Sequence, residues 1–596
     1  MVKSKKIIMI ILALIVIPLS IEFIFGKITI NNNKNKTYVN ETIKIEEGEK
    51  YQIDFNGDYF YKLNICYRTN KENNILITIN DEEYSIVLDQ YDSDKKITID
   101  ENVEEIYIEA DEELIIENIS SNNENTFNKY RYGLFFITTL ILILYLSNRS
   151  YFKEKLERLF VLVSLLFGLT IIVCLPALSG YTPDDQIHLS NSYSLMDYPV
   201  SEISEAEQKS ESALDYGIYS GEDNAESEKN LNNDELQEIV GSKSVSLIVP
   251  YNKIGYIPTS IAMKIAKLSG LNHTNVFRLG KIANLLIYVL VCYFAIKNTK
   301  FAKKIIFAVC LIPSSIFLAS SYSLDGLTIS SIILAFTLFL NKYFSNEKVD
   351  FKWSLLFIVF SIIGCVSKAI FAPLLLLPLL LKKEQFIDDK TSLLYKIGMC
   401  LVFAVMCSTF ILPLFDNANV PGDFRGGIVS VGGQIKNILK DIPGFLLMFL
   451  PISVFGTIKN IFIDYNTYIT GFYLGVINAV IGIVYLVILL SSVVFDSTIY
   501  QKMTKKFRLI LFLGVIILGC IIFGTMYLSF TEIGANYIEG VQNRYFLPLV
   551  LIMFTSISGI FTIEDKKNLY IDVISISSII TISIFILTMI IETCCL

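Results

Sequence analysis

Apolar residues in this chain fall mostly into long unbroken runs rather than into the spaced stripes of soluble helices. "LFVLVSLLFGLTIIVCLPAL" (159–178) and "LILFLGVIILGCIIFGTMYL" (509–528) are typical. Runs of about twenty such residues match a hydrocarbon core of about 30 Å. No water is available there, so each must close its own backbone bonds as a helix. The pattern predicts spans at 132–147, 158–179, 277–297, 303–320, 324–341, 353–367, 369–382, 394–415, 470–493, 509–530, 544–561 and 570–591. The opening "MVKSKKIIMIILALIVIPLSIEFIFG" (1–26) has a basic start and a long apolar stretch with no small-x-small site closing it. An uncleaved signal anchor is expected, which brings the total to about thirteen helices. Residues 443–463 are equally apolar but broken by prolines and glycines, and read as re-entrant or interfacial.

Residues 27–130 follow a different rule. "NILITINDEEYSIVL" and "EEIYIEADEELIIENI" alternate apolar and polar positions, with Asn, Asp and Gly at short intervals. Period two with frequent turn signals predicts an antiparallel β-sandwich held between two spans. The expected fold is therefore mainly α: a polytopic membrane bundle over 131–596, with a large polar loop at 180–276 and an N-terminal β-module.

Composition agrees. Hydrophobic residues make up 53% of the 596, too high for a soluble enzyme of this length. The net charge of −8 gives no reason to expect a nucleic-acid partner. The cysteines sit mostly in apolar runs without CxxC spacing, so neither a disulfide framework nor a zinc site is indicated. Lys and Arg cluster at 3–6, 148–158, 297–304, 381–386, 501–508 and 564–568. Alternating the spans puts every cluster on one side, the cytoplasmic one. The β-module, the 180–276 loop, 320–326, 416–469 and 531–544 then face outward from the cell membrane.

Candidate chemistry gathers on that outer side. "GYTPDDQIHLS" (180–190) places Asp184, Asp185 and His188 where the chain leaves a span. Thr182, Pro183 and Asp184 also suit a helix start. Ionisable groups at a membrane boundary are costly and tend to be functional. A carboxylate there is suited to accept a proton from an attacking hydroxyl, or to hold a divalent ion such as Mg or Mn beside a phosphate. Asp325 begins a span after "SSYSLDG", as a helix cap or as the lining of a polar cavity. Glu539, Gln542, Arg544 and Tyr545 precede another span, in "NYIEGVQNRYFLPL". An Arg at an outward helix start opposes both the helix dipole and the positive-inside bias. A phosphate nearby accounts for it, and so does a salt bridge to Asp184 or Asp185. Lys368 lies between two spans, and Arg425 sits on the Gly-rich "NVPGDFRGGIVSVGGQ" (419–434). "IPTSIAMKIAKLSG" (257–270) spaces its apolar residues as an amphipathic helix that would lie on the outer leaflet.

Four of these pieces, in order, resemble one family. "YTPDDQIHLSNSY", "GYIPTSIAMKIAKLSGLN" with "RLGKIAN", "IPSSIFLASSYSLDGL" and "GVQNRYFLPL" are similar to segments of the DUF2142 family of predicted bacterial membrane proteins. Asp185 stands where Glu is usual and Asn543 where Gly is usual. The β-module resembles an addition to the family core. The family's layout is similar to that of GT-C glycosyltransferases, which take sugars from polyprenyl phosphates and keep a catalytic carboxylate in the first outer loop. The resemblance implies Asp184 or Asp185 as the base, with His188 beside them. Asp325, Lys368, Arg425, Glu539, Gln542, Arg544 and Tyr545 would then bind substrate. A polyprenyl-phosphate-linked sugar is the implied donor and a surface or cell-wall glycan the acceptor. A transporter or flippase for a lipid-linked glycan, or a non-catalytic glycan-binding surface protein, is the alternative.

Overall fold

A computed structural model of the chain describes residues 2–29, 36–40, 42–69, 73–79, 82–88, 94–122, 127–175, 188–189, 191–192, 195, 251–345, 347–366, 368–416, 429–462, 475–498, 502–560, 563 and 569–593. Helix α1 (Val2–Thr29) leads into seven strands: β1 (Thr37–Val39), β2 (Ile43–Ile45), β3 (Lys50–Arg68), β4 (Asn73–Ile79), β5 (Glu82–Leu88), β6 (Asp94–Ala110) and β7 (Leu114–Asn122). They pair antiparallel in the order β1-β7-β3-β6-β4-β5, with β2 also on β7. The alternation along the strands buries one face, as in β4, where every second residue from Asn73 to Ile79 is buried. Hydrogen bonds join all seven strands into a single sheet, where two packed sheets are expected. Register shifts bend β3 between Asp54 and Asp58 and again between Phe60 and Lys62. Among the described residues, the buried cluster from Val39 to Ile119 draws on these strands alone.

The other described elements are helical. The described helices are α2 (Lys129–Ser147), α3 (Arg149–Glu154), α4 (Leu156–Cys174), α5 (Ile257–Leu268), α6 (His273–Asn298), α7 (Lys303–Cys310), α8 (Pro313–Ala319), α9 (Asp325–Phe344) and α10 (Phe351–Cys365). A 3₁₀ segment (Ala369–Leu380) follows, then α11 (Asp389–Asp416), α12 (Val431–Lys440), α13 (Ile442–Phe462), α14 (Gly475–Val494), α15 (Lys505–Ser529), α16 (Leu547–Ile557) and α17 (Leu569–Thr593). Side-chain caps fix several starts: Asn128 accepts from the Tyr130 and Arg131 amides, Asp350 from Trp353 and Thr504 from Phe507. Among the described residues, eight helices are long and apolar enough to cross a membrane, and five shorter apolar ones accompany them.

Three segments depart from the expected spans. The run 303–320 breaks into α7 and α8 at Pro313, because the residue before a proline avoids helical geometry. Residues 369–380 wind as 3₁₀ helix around Pro373 and Pro378. The stretch expected to be interrupted, 443–463, is one continuous helix despite Pro451. It runs antiparallel to α15: Phe445 lies 5.3 Å from Tyr527 and Ser453 beside Cys520.

The two ends of the bundle differ in charge. At one, Arg149 and Lys153 hold Asp572, Lys303 holds Glu157, the Lys304 ammonium donates to the Phe495 carbonyl, and Arg508 donates to the Gly559 carbonyl. The α9–α10 turn joins this end, where Lys300 pairs with Glu347. The opposite end carries the α1–α2 junction, the 320–324 turn and Arg544. There Glu22, on α1, accepts two hydrogen bonds from the Arg131 guanidinium Nε (3.0 and 3.2 Å) and one from Nη2 (2.7 Å), plus one from the Asn128 amide (2.9 Å). Both side chains are buried, so this ion pair clasps the two helices that flank the β-module.

Candidate functional site

The end that carries Arg544 encloses a cavity of about 250 Å³. That falls just short of the roughly 300–1,000 Å³ usual for small-molecule sites. Its floor is the turn before α9. Asn284 of α6 donates to the Ser321 and Ser323 carbonyls at 2.9 and 2.8 Å, and Tyr322 OH donates to the Phe277 carbonyl at 2.8 Å. The Lys281 ammonium stands 5.2 Å over the Tyr322 ring. Gly326 lets α9 meet α8 closely: a β-carbon there would stand 2.8 Å from the Ala319 Cα. Thus pinned, Asp325 opens α9 with 5% of its surface exposed.

Capping is not what this carboxylate does. The cap residue, Leu324, has no side-chain bond, and the Asp325 amide donates to Ser323 Oγ. The carboxylate holds two cations instead. Lys368 donates to Oδ1, and Arg544 Nη1 lies 3.3 Å from Oδ2, an ionic contact outside hydrogen-bond geometry. Arg544, 4% exposed, is steered by Gln542, whose Oε1 accepts from Nε at 2.6 Å. The Lys368 ammonium also stands 4.2 Å over the Tyr545 ring.

The far wall comes from the 251–256 turn and residues 188–192. His188 Nδ1 and Tyr256 OH share a hydrogen bond of 2.6 Å. Ser260 Oγ, on α5, donates to the Ser192 carbonyl at 2.8 Å, which docks this piece of chain onto the helix. Asn191, Lys253, Tyr256, Leu324 and Val366 complete the lining with His188, Asp325, Lys368, Arg544 and Tyr545. Lys253, Lys368 and Arg544 thus line the cavity with one carboxylate, Asp325. Low dielectric strengthens interactions with each of those charges, and such an arrangement can accept an anion.

Five of the residues expected to act are brought together: His188, Asp325, Lys368, Arg544 and Tyr545. Gln542 stands behind them, on Arg544. Glu539 is exposed and not among the lining residues; its amide donates to Thr531 Oγ1. Asp184, Asp185 and Arg425 lie outside the described residues. Lys253, Asn191 and Tyr256 were missed by sequence reasoning. The signal for Lys253 and Tyr256 was the polar, aromatic "PYNKIGY" just before an amphipathic helix, and Asn191 lay within "YTPDDQIHLSNSY".

No curated protein and no solved structure matches the chain. A family profile does, over residues 165–553, a stretch that contains every residue lining the cavity and leaves out α1, the strands and α2. On that match the chain belongs to the DUF2142 family of predicted membrane proteins.

Proposed function

We propose that the chain is a membrane glycosyltransferase that takes a sugar from a polyprenyl-phosphate donor and places it on a surface glycan. The observation that carries this reading is the cavity itself, where Lys253, Lys368 and Arg544 outnumber Asp325 at one end of the bundle. The basic clusters at the other end favour the cytoplasm by the positive-inside rule, which turns the cavity and the β-module outward. A lipid phosphate in the outer leaflet lies at that depth.

The reaction is a displacement. An acceptor hydroxyl gives its proton to Asp184 or Asp185 and its oxygen bonds to the anomeric carbon. The bond from that carbon to the phosphate oxygen breaks with inversion, and the electron pair stays on the phosphate. Lys368 and Arg544 stabilise the charge that develops there, which exceeds the charge of the donor, so their help grows along the reaction. Asp325 keeps both cations aimed while the site is empty. His188, bonded to Tyr256, sits where it can orient the headgroup. A divalent ion would draw on Asp184 and Asp185.

Carriers and flippases place their charges at mid-depth; the cavity's charges gather at one end, which favours catalysis at the interface. The test is analysis of surface glycans from a strain lacking the protein, beside one carrying Asp184→Asn and Asp185→Asn together. The same lost glycan in both supports transfer. An intact glycan in the double variant, with loss only in the deletion, rejects it.

A further inference from the structure

Three of the elements that line the cavity continue downward into a second, apolar crevice. Asp325 opens α9, and Ile332, Ala335 and Phe336 of that helix line a narrow crevice. Val366 ends the turn after α10, whose Ser361 and Phe357 line the same crevice. Lys368 precedes the 3₁₀ segment, which contributes Leu374. Depths agree along all three: about 10–16 Å down α9 and about 7–14 Å down α10 at 1.5 Å per residue, and about 12 Å to Leu374 at the 3₁₀ rise of about 2 Å. The crevice therefore lies directly beneath the charged cavity and ends near the middle of a bilayer about 30 Å thick.

We propose that this crevice, between α9, α10 and the 369–380 segment, receives the phosphate-proximal isoprene units of the lipid whose headgroup the cavity holds. The inference rests on the lipid-phosphate reading above and adds where the chain of that lipid goes. In this state the space is about 10 Å³, room for one water at most, so the lipid must part its walls. One wall is suited to yield. A 3₁₀ run of twelve residues is long for that geometry, and Pro373 and Pro378 remove two backbone donors from it. The lining is also imperfectly satisfied as a dry core, since Ser361 Oγ is buried with no hydrogen-bond partner among the described residues.

The test uses the full chain in nanodiscs and three probes: inorganic phosphate, a five-carbon isoprenyl phosphate and a long-chain polyprenyl phosphate. Compared at equal concentration within the bilayer, the unaltered protein should bind the long chain at least about tenfold more tightly than the five-carbon probe, through packing of the further carbons in the crevice. Ala335→Phe and Ser361→Leu fill the crevice and should erase that preference while leaving inorganic phosphate binding unchanged. A preference that survives both fillings overturns the inference, whereas the headgroup reading stands or falls separately with Arg544→Ala, which should weaken all three probes. If the filled variants do not fold, a photoreactive group on the first isoprene unit decides in the unaltered protein. Labelling within 325–344 or 351–380 supports the crevice, and labelling confined elsewhere overturns it.

Discussion

Arg544 and Asp325 meet with 3.3 Å between guanidinium and carboxylate, each almost wholly buried, on turns that open two different helices. Asp325 is held by both Arg544 and Lys368, and Arg544 also donates to Gln542. Removing one partner of such a pair costs about 3–5 kcal/mol, because the remaining charge stays buried and uncompensated.

Asp325→Leu should therefore lower the thermal stability of the purified protein sharply, leaving two cations facing each other. Lys368→Met in the same chain should restore much of the loss, since one cation is then gone. A double-mutant cycle read by thermal unfolding checks the coupling. Simple additivity would mean the two side chains do not interact.

The flanking clasp makes a parallel case. Glu22→Leu or Arg131→Leu alone strands a buried charge, at a cost of about 3–5 kcal/mol, while the double replacement should approach the parent. Protease release of the β-module from membranes measures it: fast for either single variant, slow for the pair.

The β-module should fold alone as residues 27–130, with a β-type circular dichroism spectrum and a cooperative melt. Its pH dependence has a predictable sign. The Lys36 ammonium, donating to Asp58, holds that carboxyl below the usual carboxylate range. A depressed native value stabilises the fold above the unfolded pKa of about 3.9, and the contribution is lost as pH falls through the native one. The melting temperature should be flat through neutral pH and show a step below about pH 4. Asp58→Asn should remove that step. Tyr38, which also donates to Asp58, is pushed up to about 12 by burial and by that carboxylate, so it adds nothing near neutrality.

Orientation is tested by thiol labelling in whole cells. Cysteines at Asn536 and Lys264, exposed at the cavity end, should react with an impermeant reagent; those at Lys383 and Lys505, exposed at the basic end, should not. Ser192, in an outward loop by sequence, is a poor reporter because it is fully buried. Labelling at Lys505 in intact cells reverses the assignment.

How much of this was legible in the sequence follows from the range of the interactions. Apolar runs and period-two strands are local signals, and they located nearly every helix and the β-module. Whether seven strands form one sheet or two is not local: the same alternation buries one face either way. Asp325, Lys368 and Arg544 each stood out singly as charges beside spans. Their union depends on the docking of α6 beneath the 320–324 turn, through Asn284, which no local pattern announces. Pro373 and Pro378 within an apolar run were visible hints of the 3₁₀ segment, outweighed by its hydropathy.

The central claim is that this cavity transfers a sugar from a lipid phosphate. Its most direct test is release of free polyprenyl phosphate from polyprenyl-phosphate sugars by the purified protein in liposomes, with cell-envelope glycan as acceptor. Release should require the acceptor, be abolished by Asp184→Asn or Asp185→Asn, and be slowed but not abolished by Arg544→Lys, which keeps the charge and loses the planar fork. Full release by both Asn variants and by Arg544→Lys, or none from the unaltered protein with any such donor, would contradict the account.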